Sequence, residues 1–184
     1  MYNLFIGGVA EMDLKEQMRE AGVDFSACYQ CGKCTASCPV AFAMDYGPRH
    51  IVRFLQLGWW DEALKSRSIW LCAACDTCST RCPRSVNPAK MMDCLRVQAG
   101  NRRIVAEPKV KVFNDTFLHI IRRYGRIHEG ELAIRFNLIT GQLFKDARLG
   151  VAMLRRGKIH GMPRRIRGIG TLRRIFAQTD GRKE

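Results

Sequence analysis

The residues here whose type and spacing can do chemistry are cysteines, nine of them in 184 residues. Eight fall in two runs. The first reads Cys28-Tyr29-Gln30-Cys31-Gly32-Lys33-Cys34-Thr35-Ala36-Ser37-Cys38-Pro39, and the second Cys72-Ala73-Ala74-Cys75-Asp76-Thr77-Cys78-Ser79-Thr80-Arg81-Cys82-Pro83. Both follow C-x2-C-x2-C-x3-C-P. In that spacing three thiolates fold round one 4Fe–4S cubane, while the fourth points away and reaches the other cluster of a pair. The ligation expected is therefore crossed. Cys28, Cys31, Cys34 and Cys82 would hold one 4Fe–4S cluster, and Cys72, Cys75, Cys78 and Cys38 the second. Crossing brings the runs together and sets two clusters side by side, as single-electron transfer requires. The proline after each outer cysteine fixes φ and removes an N–H, turning the chain away.

Other uses of these cysteines fit less well. Structural zinc takes four ligands per ion, usually from paired C-x2-C knuckles separated by a longer loop. A disulfide framework belongs to an oxidising compartment, and the N-terminal residues MYNLFIGGVAEMDLKEQ show no basic start, long apolar stretch or A-x-A site of a secretory signal. Cys94 is left over from the eight. It falls with Met91, Leu95 and Gln98 on one face of an expected helix, where a thiol acts as a small hydrophobe. His50, His119, His128 and His160 share no metal-ligand spacing, and none stands beside a Ser or Cys nucleophile. Gly168-Ile169-Gly170 does not continue into a phosphate loop. No catalytic residue is expected.

The elements that must position the runs read as helices. Asp13 can cap a helix ending at Gly22. The 33 residues between Cys38 and Cys72 lack strand alternation. Gly47-Pro48 opens a helix through Ile51, Val52, Phe54 and Leu55, with Gly58 to close it, and Trp59 starts a second short one. Asn87-Pro88 is an N-cap and N1 pair for a helix over Ala89–Ala99. The fold class expected is mainly α, with the clusters in loops between helices. Trp59, Trp60, Trp70 and Tyr29 lie near these loops and are expected to pack as core that keeps water off the clusters.

The phrases ACYQCGKCTASCP, GPRHIVRFLQLG and IWLCAACDTCSTRCPRSVNPAKMMDCLR resemble HdrC, the small iron–sulfur component of heterodisulfide reductase, over about residues 10–100. The resemblance implies an alpha-helical ferredoxin domain, a fold also found in the iron–sulfur subunit of succinate dehydrogenase and fumarate reductase. The plant-type ferredoxin domain of that enzyme is missing here. So are the adjacent Cys-Cys pairs of the cysteine-rich domain found in related fused proteins. By the same resemblance the partners would be an HdrB-like protein with that catalytic domain and a flavin-bearing HdrA-like protein. The chain would then be a non-catalytic electron-transfer subunit of an oxidoreductase hetero-oligomer.

Charge separates the rest. Residues 1–100 hold 11 Lys+Arg against 10 Asp+Glu, and residues 101–184 hold 20 against 7. The expected division is 1–100 as the two-cluster domain and 101–184 as a basic helical extension for partner docking. In the extension, Pro108 begins a helix with Val110, Phe113, Phe117, Ile120 and Tyr124 on one stripe. Leu132, Phe136, Ile139 and Leu143 form a second stripe, and Phe144 through Leu154 a third helix. The tail from Arg164 to Phe176 is basic, with apolar residues every three positions and two glycines that weaken it as a helix. Its charge suits acidic partner proteins, and less well an anionic membrane surface or nucleic acid. An iron–sulfur subunit of a membrane-associated, quinone-linked respiratory complex is one alternative, and a nucleic-acid-associated iron–sulfur protein with a phosphate-binding basic tail a weaker second. No apolar run approaches the eighteen residues that cross a bilayer, so the location expected is cytoplasmic, with peripheral contact at the membrane's cytoplasmic face left open.

Overall fold

The computed structural model describes residues 14–142, 150, 152–153, 155–157 and 165–180, and among these every regular element is a helix. They belong to two compact units, Met1–Glu107 and Pro108–Glu184.

In the first unit the helices are α1 (residues 14–20), α2 (Lys33–Ala36), α3 (Pro48–Gln56), α4 (Trp60–Lys65), α5 (Ser68–Leu71), α6 (Thr77–Thr80) and α7 (Pro88–Asn101). Their starts and stops follow local chemistry. Pro48 and Pro88 occupy the first turn, where the missing N–H costs nothing. Asn87 caps α7 by accepting from the Lys90 N–H at 3.1 Å. α3 ends at Gln56, and Gly58 beyond it, with φ of +74°, lets the Trp59 N–H return to the Phe54 carbonyl at 2.8 Å. The expected cap Asp13 lies outside the described residues. α7 runs from Pro88 to Asn101 rather than over Ala89–Ala99, because it continues to a turn at Arg102.

One core closes this unit. Leu14 and Met18 of α1, Ile51, Val52 and Leu55 of α3, Trp60 and Leu64 of α4, Ile69 and Trp70 of α5, and Met91, Met92, Leu95 and Ala99 of α7 are all buried in it. Phe25 meets Trp60 edge-on at 5.7 Å. Ile104, Val105 and Ala106 also pack against this core, so the first unit continues past Gly100. Cys94 packs there as well, half-buried.

Two of the four aromatic residues expected in the core are not in it. Trp60 and Trp70 are 7% and 6% exposed, but Trp59 is 53% and Tyr29 60% exposed. Trp59 sits in the turn after α3, where its ring leans on Phe54 at 6.0 Å without entering the core. Tyr29 lies between the first two cysteines of its run, on backbone that wraps a cavity and faces outward.

The second unit, taken alone, holds α8 (Pro108–Tyr124), α9 (Glu129–Ile139) and α10 (Ile169–Asp180). His128 caps α9, its Nδ1 accepting from the Glu131 N–H at 3.1 Å. Phe113 of α8 meets Phe136 of α9 edge-on at 5.9 Å, while Thr116, Ile120 and Tyr124 are buried. The Ile166 N–H donates to the Tyr124 carbonyl at 3.0 Å. Its side chain fills the space a Cβ on Gly125 would occupy. α10 forms despite Gly170, which sits in its first turn, where a glycine disturbs little of the helix. Of the expected stripes, Phe113 and Ile139 are 43% and 63% exposed. Leu143 and most of Phe144–Leu154 lie outside the described residues. Among those described, no helix is long and apolar enough to cross a membrane.

Candidate metal centre

The two cysteine runs fold as local copies of one another. In each, the residue two after the first cysteine, Gln30 or Ala74, has positive φ (65° and 50°). So does the residue before the short helix carrying the third cysteine: Gly32 at 80° and Asp76 at 59°. α2 then buries Cys34 and α6 buries Cys78, and these two helices pack side by side. The residue after the third cysteine caps the next proline-initiated helix. Thr35 Oγ1 accepts from the Arg49 N–H at 3.0 Å, and Ser79 Oγ accepts from the Ala89 N–H at 3.2 Å. Gly47 permits the first of these contacts, since a Cβ there would lie 2.5 Å from Thr35 Cγ2.

Two small cavities result. One is lined by Cys28, Cys31, Cys34 and Cys82, with Val52, Val86 and Pro88 supplying apolar wall. The other is lined by Cys38, Cys72, Cys75 and Cys78, with Pro48, Met44 and Met92 as its wall. Each cavity takes three cysteines from one run and the outer cysteine of the other. The twofold relation extends to the walls, because each proline-initiated helix contributes its proline to one cavity and the next residue to the other: Pro88 with Arg49, and Pro48 with Ala89.

Long-range hydrogen bonds hold the first cysteine of each run. Gln56 Nε2 donates to the Cys28 carbonyl at 2.8 Å and to the Phe25 carbonyl at 3.0 Å. Arg96 donates to the Cys72 and Ile69 carbonyls, each at 2.7 Å. Asp45 acts across 23 residues as the N-terminal cap of α5, the helix that delivers Cys72. Its Oδ1 accepts from the Ser68 N–H at 3.0 Å, its Oδ2 from the Arg67 N–H at 2.8 Å, and the hydroxyls of Ser66 and Ser68 also donate to it. Burial raises the Asp45 carboxyl, but these donors outweigh it and leave the group below its ordinary value. Sequence reasoning missed Asp45, Gln56 and Arg96; their partners lie more than twenty residues away, beyond any local pattern.

The thiols are unequal. Burial pushes Cys34 up and Cys78 up to about 11, whereas hydrogen bonding with Thr77 brings exposed Cys75 down. Loading Cys34 and Cys78 therefore displaces protons that burial favours. Among the described residues no group of three or more His, Cys, Asp and Glu is placed to hold a metal ion. Tetrahedral zinc would need its four thiolates drawn within roughly 4 Å of one another round a single ion. Each cavity instead draws three cysteines from one run and the outer cysteine of the other, the ligand grouping of a cubane in a two-cluster protein. Cys94 lines neither cavity.

Comparison with known proteins agrees with this geometry. The 4Fe-4S dicluster domain family matches residues 24–86. The chain is 42% identical over 88 residues to HdrC, the iron-sulfur component of the CoB–CoM heterodisulfide reductase of Methanopyrus kandleri, covering 48% of this chain and 46% of that protein. It is 37% identical over 121 residues to a second-copy HdrC of Methanocaldococcus jannaschii, covering 63% and 64%. It is 39% identical over 99 residues to the HdrC component of the ferredoxin:CoB-CoM heterodisulfide reductase of Methanosarcina acetivorans, covering 54% and 40%. The chain thus spans about half the length of the curated relatives it matches. Residues 24–86 are a 4Fe-4S dicluster domain whose cofactors are two 4Fe–4S clusters, set in a segment similar to the HdrC iron–sulfur component of heterodisulfide reductases.

Proposed function

We propose that this chain is the electron-transfer component of a heterodisulfide reductase-like complex, relaying single electrons between a flavin-bearing HdrA-like protein and an HdrB-like protein with a cysteine-rich catalytic domain. The observation that carries this reading is the three-plus-one grouping of cysteines round each of two matched cavities. Cys28, Cys31, Cys34 and Cys82 would hold one cluster, and Cys72, Cys75, Cys78 and Cys38 the other. When bound, each supplies one-electron storage without making or breaking a substrate bond.

The chain's own residues position and insulate. Gln56 and Arg96 fix the backbone at Cys28 and Cys72, so those thiols cannot swing out of their cavities. Val52, Val86 and Pro88 on one side, and Met44, Pro48 and Met92 on the other, keep water from the cavity walls. Exposed Cys31 and Cys75 bring one edge of each site to the surface, where a partner can approach closely. The basic residues 101–184 favour acidic partner surfaces. A cytoplasmic complex fits this reading, and the resemblance over the first half gives it priority over a quinone-linked complex.

Iron and sulfide quantitation with EPR on the anaerobically purified, dithionite-reduced chain tests the reading. It should find about eight irons and eight sulfides with signals from two interacting spins. Cys38→Ser should damage the cluster held mainly by the second run. Loss of the first-run cluster alone would overturn the crossed assignment. Deleting residues 162–184 should leave the iron content unchanged and weaken co-purification of the partner proteins, whereas loss of iron would refute a separate docking role.

A further inference from the structure

The internal twofold makes each cavity a control for the other, and the two differ in charge. Lys33 and Arg49 line the first-run cavity, and Arg84, two residues beyond Cys82, donates to the Ala27 carbonyl at 3.2 Å beside Cys28. At the equivalent places round the second-run cavity stand Thr77, Ala89 and Val40, all neutral. Gly32, which precedes Lys33, is replaced there by Asp76, an acid that lines the cavity next to Cys75. Other charges lie near each side. Asp24 is within electrostatic reach of Arg84, and Arg49 Nη2 is 3.3 Å from His50 Nε2. Arg96 stands behind Cys72 but has Asp93 3.8 Å away. The balance remains positive at the first site and near neutral or negative at the second.

Hydrogen bonds to sulfur are present at both sites, and their side-chain donors differ. The Gln30 N–H and side-chain amide lie 3.4 and 3.5 Å from Cys28 Sγ, and the Val86 N–H lies 3.4 Å from Cys82 Sγ. On the second side the Thr77 hydroxyl is 3.4 Å from Cys75 Sγ, and the Thr77 backbone also hydrogen-bonds that sulfur. Ala74, the counterpart of Gln30, has no side-chain donor. A thiolate-bound cluster gains one unit of negative charge on reduction, so nearby cations and donors to sulfur favour its reduced form and a nearby carboxylate opposes it.

We propose that the two sites are ordered in potential, with the Cys28/Cys31/Cys34/Cys82 site the more easily reduced because Lys33, Arg49, Arg84 and Gln30 surround it. This rests on the two-cluster reading above. One electron passing between the sites leaves the second-run site oxidised by one and the first-run site reduced by one, with no bond formed or broken and no proton moved. The electron comes from the proposed flavin-bearing donor and rests at the basic, Tyr29-bearing edge round Cys31. That edge suits an acceptor with an acidic face.

The test is an EPR-monitored redox titration of the full, anaerobically loaded chain with dithionite. The native protein should show two one-electron steps. Lys33→Gln and Arg49→Gln should each shift the higher midpoint down and leave the lower one in place. Asp76→Asn, which keeps a residue tolerant of the left-handed backbone at φ 59°, should shift the lower midpoint up and narrow the gap. Movement of the lower midpoint in Lys33→Gln, or no movement in any variant, would overturn the ordering. A native chain that loads both clusters but titrates at one common midpoint would also overturn it and leave the two-cluster reading standing. A native chain without iron and sulfide would remove both.

Discussion

The same kind of sequence signal, apolar residues at helical spacing, meets opposite fates in the two units. In the first, α3 and α7 bury Ile51, Val52, Leu55, Met91, Met92 and Leu95. In the second, α9 buries nothing fully, and Ile134, Leu138 and Ile139 are 63%, 58% and 63% exposed. The difference lies in what closes each unit. The first is tied by long-range bonds from Asp45, Gln56 and Arg96 that fold short helices back on one another, so each apolar face finds a partner. In the second, α8 packs against both α9 and α10, while α9 has α8 as its main partner and so one stripe covered. An amphipathic stripe therefore announces a face, but only the neighbours decide whether it becomes core. Exposed apolar residues in a unit where Lys and Arg outnumber acids 20 to 7 over residues 101–184 are what the proposed docking role requires.

The strongest way to break this comparison is to cut into the first core. Leu95→Ala should cost about 2–5 kcal/mol, since Leu95 is fully buried on α7, the helix that packs against α3, α4 and α5. Anaerobic guanidinium denaturation followed by loss of cluster absorbance would measure it. A cost under about 1 kcal/mol would mean the cysteine sites hold the unit together without its core.

Asp45→Asn comes next and probes the ties instead of the packing. Losing donors to a charged acceptor should cost about 1–2 kcal/mol at neutral pH. The folded Asp45 carboxyl lies below its ordinary value of 3.8. Its contribution is therefore complete above that value and lost as pH falls through the folded one. The gap between native and variant should narrow as acid protonates the native carboxyl; a gap that stays constant from neutral pH into acid would mean the amide disrupts packing rather than charge.

How much of this was legible follows from the range of each interaction. The cysteine spacing, Gly47-Pro48, Asn87-Pro88 and the stop at Gly58 are local, and the helices start and end at or within two residues of them. Asp45, Gln56 and Arg96 were invisible because their partners are set by the tertiary fold. Trp59 and Tyr29 misled for a related reason. Nearness in sequence to a cysteine run does not fix the direction of a side chain, and both rings stand outward on turning backbone. The twofold relation of α3 and α7 was hidden too, since only the cysteines repeat visibly, while Thr35 and Ser79 fill equivalent roles with different residues.

A smaller effect is expected at the ninth cysteine. Cys94 is half-buried on α7 and burial pushes its thiol up, so Cys94→Ala should cost at most about 1 kcal/mol. Iron and sulfide per chain should stay unchanged. Loss of iron would make it a ligand and break the match of eight cysteines to two cavities.

The smallest expected effect carries the most information about the second unit. Ile139 lies on a stripe that by pattern alone looks as much like core as Leu95, yet it is 63% exposed in the chain by itself. Ile139→Ser should therefore change the stability of the isolated chain by no more than about 0.5 kcal/mol, measured by the same denaturation. Its effect on co-purification with partner proteins should be larger than its effect on folding, because an apolar side chain left in water gains only when another surface covers it. A cost of about 2 kcal/mol or more in the isolated chain would mean that Ile139 is already covered within this protein. The contrast between a closed first unit and an open second one would then be wrong, and the stripe on α9 would be core after all.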